Sequence, residues 1–300
     1  MSGSKRYLSK GVESVKALSN FDYKEVYFNF GLDEAIETDN ESYSYFCKIS
    51  QQLGILMLDT NIYDSHGNPS YTMTSGNIKN ETIFWIDSVL SKYQGLDIIV
   101  AGHHNLFKHS TLFQSGYQLD NYKILEGILL RNGVKLYLSG HMHIQHIELN
   151  SNVTEILTSA LSITPHQYGV IEYSAKNSLM YNYYTKTTKV SEYAKYINSN
   201  DPKLLDFEEY SKQFYEKSSF EKAYLNIMMN NSSLHNEATS LGNLMKLLNI
   251  PYFAGTAYNI VKDIKNTEDY KTINKYELSK YIDSIIEGSK EDYRYKKIYR

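Results

Sequence analysis

With a single cysteine, Cys47, the chain has no internal disulfide to form, which fits a reducing compartment. The flanks of that residue, SYSYFCKIS, read as a strand, so a packed thiol is expected there. Proline is nearly as scarce, at four residues in 300, and no internal repeat or low-complexity run occurs. No stretch approaches the roughly 18 uncharged apolar residues of a membrane span, and the opening residues MSGSKRYLSKG lack the apolar core of a signal peptide. A cytoplasmic protein with no membrane partner is the expectation, with a signal peptide possible only upstream of Met1. Neither charge sign dominates: the formal net charge is -3 with signs interspersed, which argues against general nucleic-acid binding.

What the sequence does hold, 42% hydrophobic and 22% charged residues, is enough for one large domain or two smaller ones. Between residues 45 and 185 short β-like runs alternate with helical patterns, as in α/β proteins. ILMLD (55 to 59) reads as a buried strand, Asn80 as the cap of a helix with Ile83, Ile86, Leu90 and Tyr93 on one face, and LDIIVA (96 to 101) as the next strand. The cycle repeats with Asn121 as cap, Leu125, Ile128 and Leu129 facing inward, Asn132-Gly133 as a left-handed stop, and the strand VKLYL (134 to 138). VTEILTSAL, YGVIEYS and SLMYNYYT then read as successive β segments up to residue 185.

Beyond about residue 190 the period becomes helical. Phe207, Tyr210 and Phe214 share one face; Leu241, Leu244, Met245 and Leu248 recur at i, i+3, i+4, i+7, and Leu278, Tyr281, Ile282 and Ile285 repeat that spacing. The polar run NSNDPK (198 to 203) breaks structure near this change. Residues 1–190 and 191–300 are therefore expected to be separate parts, the second a helical subdomain.

Two predicted strands run straight into histidine: DIIVAGHHN places His103 and His104 after one, and LYLSGHMH places His141 and His143 after the other. Ligand sites of open α/β sheets collect at such carboxyl ends. Side chains at i and i+2 of an extended turn point the same way, with backbones about 6 to 7 Å apart. Neutral imidazole suits Zn, Mn or Fe, and the preceding glycines are expected to let the backbone turn tightly beside an ion. A lone loop histidine is ordinarily structural or solvated; two strand-end clusters shift the weight toward metal.

VAGHHNLF and LSGHMH, in this order, resemble the last two motifs of the calcineurin-like metallophosphoesterases, and LMLDT, SGNIKNETIFWIDSVL and EILTSALSITPHQYGVIEY fit the intervening and following context. Bacterial members that include class III cyclic-nucleotide phosphodiesterases are the nearest in character, and the resemblance covers roughly residues 20 to 185. It implies an α/β fold of the α/β/β/α sandwich type. It also implies two divalent metal ions, Mn, Fe or Zn, about 3.5 to 4 Å apart, that activate a bridging hydroxide against a phosphate ester such as a cyclic nucleotide. By motif, His103 and His141 would ligate one metal and His143 the other, with His104 supporting them. His109, His146 and His166 lie on nearby segments and could contact substrate, although His146 reads as incidental.

The family's earlier motifs, Asp-x-His, Gly-Asp-x-x-Asp and Gly-Asn-His-Asp or Glu, do not occur in that arrangement. Asp64-Ser65-His66 is a formal Asp-x-His but follows LMLDT, out of order, in a run of turn-forming residues. Asp59 reads as a structural hydrogen-bonding aspartate. The leaving-group histidine belongs to the absent Gly-Asn-His motif, so no catalytic acid is assigned. The expectation is an incomplete phosphoesterase sandwich lacking its N-terminal strands: the later part of a hydrolase that is truncated and inactive as given. The alternatives are a degenerate, non-catalytic fold serving as a binding or assembly module, and one half of a split enzyme whose partner chain brings the missing carboxylates.

Overall fold

The computed structural model describes residues 5–8, 11–14, 20–62 and 74–300. In chain order the elements are strands β1 (Lys5–Leu8) and β2 (Gly11–Ser14), helix α1 (Asn20–Tyr27), β3 (Glu37–Thr38), β4 (Tyr45–Lys48), β5 (Leu53–Leu58), α2 (Asn80–Lys92), β6 (Asp97–Gly102), α3 (Tyr122–Arg131) and β7 (Leu136–Ser139). There follow β8 (His146–Asn150), β9 (Val153–Leu157), β10 (Gln167–Tyr173), β11 (Leu179–Thr187), α4 (Val190–Tyr196), α5 (Pro202–Leu205), α6 (Phe207–Asn230), α7 (His235–Ala254), α8 (Glu268–Asn274), α9 (Lys280–Gly288) and β12 (Tyr295–Tyr299). The fold is α/β: a mixed seven-stranded sheet in the order β3-β4-β5-β6-β7-β9-β8, with a helical region from α4 to α9.

The chain divides into two compact units. One comprises Met1–Phe107, Ser115–Ser139 and Leu149–Glu155; the other comprises Lys108–Gln114, Gly140–Glu148 and Ile156–Arg300. In the first, β5, β6 and β7 run parallel, with Leu58 opposite Gly102 and Ala101 opposite Leu138, and β4 pairs antiparallel with β5. Their apolar runs are buried because helices cover them. Ile83, Ile86, Val89 and Leu90 of α2 and Leu125, Ile128 and Leu129 of α3 join Leu56, Val100 and Tyr137 in one core, each full burial contributing roughly 1.5–3 kcal/mol. Cys47 is buried on β4, and burial, with the charge of Glu34, pushes its thiol pKa up, so it is a packed residue rather than a reactive one.

Both expected caps behave differently from expectation. Lys79, not Asn80, precedes the first turn of α2, with no side-chain cap. Asn121 stands at the start of α3, but its amide is spent across the unit: Oδ1 accepts from Ile78 N at 3.2 Å and Nδ2 donates to Ile78 O at 2.7 Å. That clamp sets where the chain enters α2. The stop of α3 is as read, with Gly133 at φ 71 just past the helix.

In the second unit Leu244 and Leu248 of α7 and Ile282 and Ile285 of α9 bury fully, with Leu241, Met245, Leu278 and Tyr281 packed against them, as their spacing requires. Helix α6 departs from its expected face. It buries Ser211, Ser219, Ala223 and Ile227, while Tyr210 and Phe214 are exposed. The reason is close approach to α7: a Cβ at Gly242 would lie 2.7 Å from the Phe220 ring, and Asn249 Nδ2 donates to Ser219 Oγ at 3.0 Å. Small residues line such a seam. The last strand was not anticipated; β12 returns to pair with β11, making a three-stranded sheet with β10.

Candidate functional site

His103 and His104 leave the carboxyl end of β6, and Gly140-His141 leaves that of β7, the neighbouring parallel strand. Within the first unit His103 is exposed and His104 is buried, their rings edge to face with centroids 5.1 Å apart. His104 Nε2 lies 3.1 Å from the carbonyl of Thr74, which can only accept, so that nitrogen carries the proton. Nδ1 then accepts from Thr60 Oγ1 at 2.7 Å. Both ring nitrogens of His104 are thus engaged by the protein.

Gly102 does not turn the chain as expected. A Cβ there would sit 2.5 Å from Tyr137 Oη, so glycine makes room for the tyrosine, which donates to His104 O at 2.9 Å. The turn after β7 likewise falls on histidine instead of glycine. His141 has φ 68 and His143 φ 60, and Met142 N donates to Gly140 O at 2.8 Å, so His141 is the centre of a three-residue turn. Left-handed backbone at a non-glycine residue costs about 1–2 kcal/mol and collects at functional sites. The following residues are pinned within the second unit: Gln145 N donates to Phe253 O at 2.9 Å and Gln145 Nε2 to Tyr293 O at 2.9 Å, while Tyr183 Oη donates to Gln145 Oε1 at 2.9 Å.

Sequence reading missed Glu155. This carboxylate is completely buried on β9 and accepts from Leu106 N at 2.9 Å, Phe107 N at 2.6 Å and Ser139 Oγ at 2.5 Å. Asn105 Nδ2 adds a bond to Ser139 Oγ at 3.1 Å. Burial, reinforced by the charge of Glu155, raises the Tyr137 pKa well above its usual value, so the phenol stays a donor. The local signal was a lone charged residue in the strand VTEIL.

The three outlying histidines bond within the protein. In the second unit His146 Nε2 donates to Gly288 O at 3.0 Å, and its Nδ1 is 2.9 Å from His109 Nδ1; both rings are buried. Burial, then the neighbouring His109, lowers the His146 pKa to about 3, so Glu148 at 3.9 Å faces a neutral ring and forms no ion pair. His166, at φ 57, places Nδ1 2.9 Å from Leu161 O and Nε2 2.6 Å from Ser211 Oγ, which also meets Thr164 Oγ1 at 2.6 Å. Asp59 accepts from Tyr43 N at 3.2 Å and from Asn61 N and Nδ2 at 3.2 and 2.9 Å, the structural role expected of it. Asp64 and His66 lie outside the described residues.

Among the described residues no three or more His, Cys, Asp or Glu side chains converge as a set that could hold a metal ion. The imidazoles have suitable donor chemistry, but they do not by themselves fit a two-metal centre. Nor, among the described residues, is any helix long and apolar enough to cross a membrane.

Comparison with known proteins bears on this arrangement. Residues 18–145 match the family described as calcineurin-like phosphoesterase, and residues 189–292 match the C-terminal domain of cyclic nucleotide phosphodiesterase. Solved structures similar to the chain include a dimetal phosphatase from Danio rerio, 12% identical with a TM-score of 0.42, over 54% of this chain and 64% of that one. Another is GAP50, described as the anchor in the inner membrane complex of Plasmodium, 16% identical with a TM-score of 0.34, over 58% of this chain and 62% of that one. The matched region thus spans less than two thirds of either protein. No curated protein matches the chain. The chain thus carries a calcineurin-like phosphoesterase region over residues 18–145, with its paired histidine motifs at parallel strand ends, followed by a region similar to the C-terminal domain of cyclic nucleotide phosphodiesterase.

Proposed function

We propose that this chain is the histidine-bearing part of a cytoplasmic, metal-dependent phosphoesterase acting on small phosphate esters such as cyclic nucleotides. The observation that carries the reading is that Gly-His motifs leave two adjacent parallel strands, β6 and β7, the second with positive φ at both His141 and His143, a conformation that collects at functional sites. By family motif His103 and His141 are assigned to one ion and His143 to the other. When bound, two divalent ions, Mn, Fe or Zn, would supply hydroxide at neutral pH and neutralise charge on the phosphate.

The chain's own contribution is to position donors. Thr60 and the Thr74 carbonyl fix the His104 ring beside His103, and Glu155 anchors both Ser139 and the residues that follow His104. Among the described residues no carboxylates converge to bridge and complete such a centre, so the chain as given is expected to be inactive. A segment bearing Asp-x-His, Gly-Asp-x-x-Asp and Gly-Asn-His, in the same polypeptide or as a partner chain, would supply them. The shortage of converging carboxylates also favours a second reading, a non-catalytic assembly module.

The test is hydrolysis of bis-p-nitrophenyl phosphate and of a cyclic nucleotide with added manganese, by the chain alone and with such a segment supplied. Manganese binding and turnover should appear together on addition and disappear in His143→Ala. Failure of every such segment to confer either would leave the assembly-module reading, while turnover by the chain alone would show that Asp59, Asp64 or His66 serves as a ligand.

A further inference from the structure

Within the second unit a histidine, a serine and a threonine converge where the segment before β10 meets α6. His166 Nδ1 lies 2.9 Å from Leu161 O, a carbonyl that can only accept, so in the neutral ring that nitrogen carries the proton. Nε2 is then an acceptor, and the Ser211 hydroxyl, 2.6 Å away, donates to it. With its one hydrogen committed to the imidazole, Ser211 Oγ accepts from Thr164 Oγ1 at 2.6 Å. Each hydroxyl and each ring nitrogen thus has a single role.

The imidazole is also held from behind. His166 has φ 57, and both of its backbone groups are bonded, N to Ile163 O at 2.7 Å and O to Thr188 N at 2.9 Å. Phe207, in the first turn of α6, packs on the ring with centroids 4.9 Å apart. A serine inside a helix can satisfy its hydroxyl on the carbonyl four residues back; Ser211 turns to a histidine in a left-handed conformation, and such strain gathers at functional sites.

A hydroxyl hydrogen-bonded to an imidazole whose far nitrogen is oriented by a third group is the arrangement that activates serine as a nucleophile. Access limits what it can attack. Ser211 is 6% exposed and His166 half-buried, while Leu161 at the rim is exposed. Only a small electrophile reaches the hydroxyl, and the apolar surroundings of Leu161 and Phe207 suit a short acyl group.

We propose that Ser211 and His166 form a second, metal-independent catalytic pair that hydrolyses short-chain carboxylic esters. Ser211 Oγ attacks the carbonyl carbon as its proton passes to His166 Nε2. The bond from that carbon to the alcohol oxygen breaks, the departing alcohol takes the proton, and the acyl group stays on Ser211. Water then attacks the acyl carbon, giving a proton to the same nitrogen; the carboxylic acid leaves and the proton returns to Ser211 Oγ. The Leu161 carbonyl accepts from Nδ1 throughout, and Thr164 places a donor beside the reacting oxygen, where negative charge develops.

The full chain is mixed with p-nitrophenyl acetate in the presence of a metal chelator. A burst of p-nitrophenol is expected, with the acetyl group found on Ser211 by peptide mass spectrometry. Ser211→Ala should abolish the burst. His166→Asn keeps a residue that tolerates left-handed backbone but removes the base, and should slow the burst about a hundredfold or more; Thr164→Val should slow it about fivefold. Burst and acetylation site are both read on the wild type, so the test stands even if a variant fails to fold. No burst, acetyl on other residues with Ser211 unmodified, or Ser211 acetylated as fast in folded His166→Asn as in wild type overturns the proposal. Because no metal and no phosphate take part, this result and that of the phosphoesterase test are independent.

Discussion

Glu155 Oε1 lies 2.5 Å from Ser139 Oγ, and the same buried carboxylate receives the N–H groups of Leu106 and Phe107. One side chain thereby ties the last residue of β7, two positions before His141, to the loop that follows His103 and His104. Backbone N–H groups that strands and helices leave unpaired must find partners elsewhere; here one carboxylate satisfies two of them in a wholly buried place.

Glu155→Ala should therefore destabilise the chain by roughly 3 kcal/mol or more, since each stranded buried N–H costs roughly 1–3 kcal/mol. Ser139→Ala removes one hydroxyl bond and should cost about 1 kcal/mol. Urea unfolding measures both. An alanine at 155 that costs no more than the one at 139 would show that water replaces the carboxylate.

Gly76→Ala should disturb His104 directly. A Cβ at 76 would stand 2.3 Å from His104 Cγ, and the ring cannot retreat without losing Thr60 and the Thr74 carbonyl. Overpacking of this kind costs about 1–3 kcal/mol. The imidazole resonances of His104 should shift in the variant; unchanged resonances and an unchanged urea midpoint would mean that the loop moves freely away.

The strand ends were legible because IIVA and LYL are short apolar runs, as strands of a buried parallel sheet are, and they stop at Gly-His and Ser-Gly-His. The partner of Glu155 was not legible: Leu106 lies 49 residues away, and a single glutamate in VTEILTSAL looks like the solvent face of an edge strand. The turn was misread for a different reason. Glycine was expected to make the tight turn, yet it is His141 and His143 that carry the positive φ. Helix α6 shows the same limit for packing: Tyr210 and Phe214 mark an apolar stripe, but close approach to Gly242 selects the side with serine and alanine.

The helical end depends on its own core, so Leu248→Ala, at a site with no exposure, should cost about 2–5 kcal/mol. Tyr210→Ser, on the exposed face of α6, should cost under about 0.5 kcal/mol. Thermal unfolding distinguishes the two. Equal losses would mean that the exposed aromatic stripe is packed in solution.

The buried pair of His109 and His146 should make stability depend on pH in a defined direction. His146 Nε2 already donates to Gly288 O, so an added proton must go to Nδ1, where it meets the N–H of His109 at 2.9 Å. Burial and that neighbour lower the folded pKa from 6.5 to about 3, with Lys290 adding to the lowering and the tilted Tyr293 ring, 4.0 Å away, closing the site. Between those values the unfolded chain binds a proton that the folded chain refuses, so stability rises with pH. The contribution is fully present above about pH 6.5 and is lost as pH falls toward 3, at up to roughly 1.4 kcal/mol per pH unit. His146→Asn cannot titrate there, so its urea midpoint should vary less than that of wild type between pH 7 and 5, whatever its absolute stability. Parallel pH profiles for the two proteins would place the acid sensitivity elsewhere.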